Sequence, residues 1–77
     1  MKTTKLIKQW KINGMRKASK YLSFTSFELF PSNRKAGVYI SALIRQGLIE
    51  NVGNTYFGDG IYEKTHKGIE FINQIDA

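Results

Sequence analysis

Between Ser32 and Gln46 the apolar residues Ala36, Ile40, Leu43 and Ile44 recur at helical spacing and predict one buried stripe. Arg34, Lys35, Val38, Ser41, Ala42 and Arg45 fall on the opposite side, so the outward face is basic at both ends and small in the middle. Ser32 is a suitable N-cap for a helix over 32–46, and Gly47 is a suitable terminator because it tolerates positive φ. At that length the helix is roughly 20 Å long.

The same periodicity places elements on either side. Over residues 3–22, Leu6, Ile7, Trp10, Met15, Ala18, Tyr21 and Leu22 are mostly helically spaced. The turn-prone pair Asn13-Gly14 interrupts them, giving either one kinked helix or a leader followed by a helix over 15–22. Lys2, Lys5, Lys8 and Lys11 form a ridge along that leader, suited to solvation or to phosphate. Thr25-Ser26-Phe27-Glu28 is a capping box, and Pro31 keeps the helix it opens short. A short helix, a tight turn and a longer helix make a helix-turn-helix unit over about 25–46. Phe24, Phe27 and Phe30 are expected in the core, and Trp10 in the core or a dimer contact. Leu48–Phe57 then reads as a strand, Gly58-Asp59-Gly60 as its hairpin turn and Ile61–Lys64 as the return strand. Thr65 caps a last helix over 66–75 whose apolar set is Ile69, Phe71, Ile72 and Ile75.

Charge sharpens this picture. Residues 1–45 hold ten Lys or Arg against one acid, Glu28, whereas residues 46–77 hold Lys64 and Lys67 against five acids. A net charge of +6 distributed in this way points to a polyanion on one face, with a merely solvated basic surface as the competing reading. The 77 residues suit one small domain spanning 1–77. The lack of cysteine excludes disulfides, thiolate metal sites and a Cys nucleophile. Lysines interrupt any apolar leader and no apolar run approaches membrane-spanning length, so a cytoplasmic protein without membrane association is expected.

Three local signals resemble the winged helix family. One is the ending Ile40-x-x-Leu43-x-x-x-Gly47-Leu48-Ile49, similar to the close of its recognition helix. Another is the capped entry Thr25-Ser26-Phe27-Glu28-Leu29, similar to the start of its second helix. The third is Tyr62-Glu63-Lys64-Thr65-His66-Lys67-Gly68-Ile69-Glu70-Phe71, which resembles the run leaving the wing and opening the last helix in many bacterial and archaeal members. The resemblance covers residues 15–75. It implies an α+β fold, a winged helix-turn-helix with three N-terminal helices, a two-stranded β-hairpin wing over about 48–64 and a C-terminal helix. Two departures stand out: Lys64 occupies a position usually apolar, and the wing tip 53–60 carries Asp59 but no cation.

The function implied is sequence-specific binding of double-stranded DNA by a small transcription regulator, with helix 32–46 in the major groove. Ser32 and Asn33 would offer a helix N-terminus to phosphate. Arg34 and Lys35 would reach guanine edges or phosphates, and Val38 a thymine methyl. Ser41 lies on the same face. Tyr39, at its edge, would bond a phosphate or pack on the second helix, and Arg45 would hold the backbone at the far end. Asn54, Thr55 and Tyr56 would reach the backbone from the wing. A homodimer is expected through Leu6, Ile7 and Trp10 with Phe71, Ile72 and Ile75, because one module covers little DNA. The rival is a winged helix that binds a protein partner, such as an inhibitor or replication-accessory protein of a phage or mobile element. Glu63 and His66 form no convincing catalytic pair without a nucleophile or pocket, and no enzyme activity, metal or cofactor is expected.

Overall fold

The computed structural model describes residues 8–76, so Lys2, Lys5, Leu6 and Ile7 of the leader lie outside the described residues. The element order is α1 (Gln9–Ala18), α2 (Ser26–Leu29), α3 (Ala36–Arg45), β1 (Ile49–Asn54), β2 (Gly60–Lys64) and α4 (His66–Asp76). Among the described residues, four helices and one antiparallel hairpin make an α+β layout compatible with a winged helix.

α1 runs straight through Asn13-Gly14 as a single helix, so neither residue starts a new element. The reason is tertiary. Gly14 is buried, and a Cβ built on it would lie 2.6 Å from Phe30 Cζ and 2.8 Å from Cε1. The glycine lets the Phe30 ring close onto the helix backbone. α1 stops at Ala18, short of the predicted 22, and Tyr21 and Leu22 are exposed. The chain instead turns so that Phe24 exchanges two backbone hydrogen bonds with Tyr62, Phe24 N to Tyr62 O at 2.9 Å and Tyr62 N to Phe24 O at 2.8 Å. This single bridge sets a third chain segment beside β2, on the edge opposite β1. It has no period-two signature in the sequence.

α2 is the short helix that the capping box and Pro31 predict. Both halves of the box form, and Thr25 Oγ1 also accepts from the Phe27 N–H at 3.2 Å. The Glu28 carboxylate accepts from the Thr25 hydroxyl and backbone N–H, which hold its pKa below the ordinary carboxylate value. Phe24 and Phe30 are buried as expected, but Phe27 is not: it is 62 % exposed, because four residues of helix cannot turn every apolar side chain inward.

The buried set is Met15, Ala18, Phe24, Leu29, Phe30, Ile40, Leu43, Leu48, Ile49 and Ile72, with at least one residue from every helix and from β1. Against it packs an aromatic cluster. Trp10 stacks on Tyr39 at 4.2 Å and 7°, and Phe30 meets Tyr39 at 5.1 Å and Trp10 edge-on at 6.1 Å. Ile40 and Leu43 of the α3 stripe are buried and Ala36 half-buried, but Ile44 is 39 % exposed at the edge of the face.

Lys64 pairs with Ile49 in the hairpin register and is half-buried. Its stem crosses the core edge, and its Nζ donates to Ala18 O at 2.9 Å and Tyr21 O at 2.6 Å. The ammonium therefore sits at the C-terminal, partially negative end of α1, bonded to the carbonyl of its last residue, which also accepts from the Tyr21 N–H, and to that of Tyr21 in the turn beyond it. This explains how a cation stands where the resemblance leads one to expect an apolar residue. Lys64→Met keeps the stem and removes both charge-assisted bonds. It should lower stability by about 1–2 kcal/mol, a Tm fall of roughly 5–10 °C in a thermal melt. A stem that merely reached solvent would leave Tm unchanged or raise it on the same substitution.

Thr65 caps α4 as expected, its Oγ1 accepting from the Gly68 N–H at 3.0 Å while its hydroxyl donates to Gly47 O. Of the predicted apolar set of α4, Ile72 is buried, Phe71 and Ile75 are half-buried, and Ile69 is 44 % exposed.

Candidate nucleic-acid interface

α3 starts at Ala36, four residues later than the sequence predicts, so it has ten residues and is about 15 Å long. Ser32 is not its cap. It holds a left-handed conformation, φ 57°, and turns the chain between α2 and α3. That conformation is unfavourable for a residue with a Cβ. Asn33 does the local work instead. Its Oδ1 accepts from the Lys35 N–H at 2.8 Å, and its carbonyl accepts from the Ala36 N–H at 3.1 Å. Arg34 and Lys35 therefore sit in the turn leading into α3, and neither belongs to its regular turns. Ser32 and Asn33 lie upstream of the helix N-terminus, away from the dipole position the sequence predicts for them.

The exposed side of α3 carries Val38, 65 % exposed, together with Ser41 and Arg45 at spacings of three and four residues. Arg34 and Lys35 precede this row and are exposed too. Among the described residues, none of Arg34, Lys35 and Arg45 has an ion-pair partner. The three cations are thus free of internal carboxylates, Arg34 and Lys35 in the turn before α3 and Arg45 at its end. At Gly37 a Cβ would meet nothing within 4 Å.

Tyr39 is placed differently from the other site candidates. Its ring is half-buried between Trp10 and Phe30, and it serves the packing alternative. Of the basic ridge, Lys11 has partners within the domain. Lys11 donates to Gln46 Oε1 and lies 5.7 Å from the Phe71 ring centroid, so its charge is engaged within the domain.

The end of α3 fixes where the hairpin goes. Gly47 adopts φ 78°, its N–H reaches Ile44 O at 2.9 Å, and the Leu48 N–H reaches Leu43 O at 3.0 Å. Those two bonds are a complete Schellman motif, and β1 begins one residue after Leu48 with no loop between. Strand pairing is irregular between Asn51 and Gly53, leaving Val52 without a partner across the ladder. Asn51 Nδ2 covers the irregularity, donating to Gly53 O at 3.2 Å.

The hairpin tip is longer and earlier than Gly58-Asp59-Gly60. Gly60 already pairs with Asn54 in β2, and residues 55–59 form the loop. Thr55 organises it: the Thr55 N–H donates to Asp59 O at 2.7 Å, and its Oγ1 accepts from the N–H groups of Phe57 at 3.2 Å and Asp59 at 3.1 Å. The Thr55 side chain is therefore occupied within the loop. Asn54 remains exposed at the end of β1, and Tyr56 is 96 % exposed. Sequence reasoning missed Phe57, which is 87 % exposed beside Tyr56. Alternation along a strand would have turned one of these neighbours inward; in the loop both face out.

No family model, curated protein or solved structure matches this chain. Among the described residues no helix is long and apolar enough to cross a membrane, and no group of three His, Cys, Asp or Glu is placed to hold a metal ion.

Proposed function

We propose that this protein is a winged helix regulator of transcription that binds double-stranded DNA, with α3 in the major groove. The observation that carries this reading is the row of unpaired, exposed cations Arg34, Lys35 and Arg45 around the small residues Val38 and Ser41. Arg34 and Lys35 neutralise phosphates or read guanine edges at the entry to α3. Val38 faces a thymine methyl, and Arg45 grips the backbone at the far end. Ser32 and Asn33 shape the entry turn. Asn54 and Tyr56 approach from the hairpin. A homodimer belongs to the same reading; Ile75 of α4 is half-buried and outside the core, whereas Trp10, Phe71 and Ile72 are engaged in internal packing.

A second reading has one observation in its favour: the tip carries Asp59 and no cation, which suits a protein partner better than a phosphate backbone. The experiment that separates the two is binding to a labelled random duplex over a salt series. The DNA reading expects affinity that falls steeply and linearly on a log–log plot. Absence of binding even at low salt overturns it and leaves the interaction module.

A further inference from the structure

The exposed aromatic pair at the hairpin tip is unexplained by folding. Tyr56 and Phe57 meet each other edge-on, with centroids 5.4 Å apart and planes at 85°, and neither belongs to the core or packs on it. Large exposed apolar groups in contact with each other signal a partner. Flexibility does not account for them, because the loop beneath is pinned. Thr55 accepts or donates at both ends of it, the Gly58 N–H bonds Thr55 O at 3.0 Å, and Gly58 takes φ 93°, which favours glycine. The rings are held out on a built platform.

We propose that this tip is an aromatic wedge that enters the minor groove and inserts into a base step of duplex DNA. The inference rests on the DNA reading above. Three features select DNA bases as the occupant. The basic half of the chain calls for a polyanion, and the cations at the two ends of α3 supply the phosphate contacts. The two exposed rings are uncharged and aromatic, and the part of DNA on which such rings stack is the bases. Reach also fits. The hairpin leaves α3 through the rigid Gly47–Leu48 junction, and β1 has six residues, about 20 Å of strand. Half a turn of B-DNA, the step from a major groove to the neighbouring minor groove, is about 17 Å. Apolar side chains inserted from the minor groove unstack a step and kink the duplex. This gives the hairpin a role in binding that needs no tip cation.

The test uses the full chain and Tyr56→Ala/Phe57→Ala, with a duplex rich in flexible TA steps and carrying 2-aminopurine at those steps. Both side chains are almost fully exposed, so thermal melts of the two proteins should superimpose. Expected for the wild type is salt-dependent binding with a rise in 2-aminopurine fluorescence as the step unstacks. The double variant should bind roughly 10- to 100-fold more weakly with the salt slope unchanged, because stacking releases no counterions, and its fluorescence rise should vanish. If the wild type binds and the variant binds equally well, or the fluorescence stays flat for both, the wedge is overturned while the DNA reading survives. If the wild type does not bind the duplex at all, the DNA reading itself has failed. A variant that loses self-association in sedimentation but keeps its affinity for DNA would make the tip a contact between copies, and would also overturn the wedge.

Discussion

Gly68→Ala should destabilise the domain by about 3 kcal/mol or more, enough to unfold a large fraction of a protein of this size at physiological temperature. Intrinsic helix propensity predicts the opposite sign, a gain of about 1 kcal/mol for replacing a helical glycine with alanine. The structure decides between them. Gly68 is buried in the first turns of α4, and a Cβ there would overlap the carbonyl oxygen of Leu48, with Leu48 C at 3.0 Å and Met15 Cε at 3.3 Å. The obstacle is backbone, fixed by the Schellman motif at the end of α3 and by the Thr65 N–H, which donates to the same Leu48 carbonyl at 3.1 Å. It cannot give way as a side chain would. Urea unfolding of the two proteins measures the effect, and Gly37→Ala is the matched control. Gly37 is helical with nothing within 4 Å of its Cβ position, so alanine there should leave stability unchanged or raise it by up to about 1 kcal/mol. Equal effects at the two glycines would refute the close packing of α4 on the α3–β1 junction.

Arg34→Ala/Lys35→Ala should leave the fold intact and weaken DNA binding. Both side chains are exposed, and both residues precede α3, so neither contributes to its packing. Each phosphate contact removed takes about 0.9 from the log–log salt slope. Loss of both therefore reduces the slope by about 1.8, which is roughly sixtyfold in affinity at about 0.1 M salt relative to 1 M. Lys17→Ala/Lys20→Ala removes the same charge from the end of α1 and should change the slope far less. Fluorescence anisotropy over a salt series measures both. Equal losses in the two variants would mean a diffuse basic surface, and α3 would then have no privileged place in binding. This experiment and the wedge test report different physics: one moves the slope, the other moves affinity at constant slope.

The features legible in the sequence were those written over three to five neighbouring residues. Thr25 and Glu28 specify their own capping box, and Thr65 its own cap. Leu43, Ile44, Gly47 and Leu48 specify a helix end, because the two bonds that close it join residues three and five apart. The two hairpin strands and the terminal helix followed from periodicity, although the turn chemistry set the hairpin turn at Gly58-Asp59-Gly60 and the loop is 55–59. Of the candidate interface, Val38, Ser41 and Arg45 stand exposed on α3, as spacing on a helix requires, whereas Arg34 and Lys35 are exposed because they lie in the turn before it. Ser32 as a cap failed because α3 begins only at Ala36, with Lys35 in the N-cap position and no side chain capping the helix. Ser32 takes the left-handed turn between α2 and α3, and the Asn33 Oδ1 holds the Lys35 N–H.

By itself, the sequence determined the order of elements, the ends that carry their own caps and the separation of basic from acidic halves. Each depends on near neighbours or on simple charge count. Tertiary structure decided the meaning of residues whose partners are distant along the chain. Asn13-Gly14 became the seat for Phe30 and remained helical. Lys64 became a cap on α1, forty-six residues away at Ala18. Tyr39 went to the aromatic cluster, while Phe57 was left outside. A glycine, a lysine or an aromatic ring suits several environments almost equally, and only close packing, where one methyl group more or less is felt, selects among them.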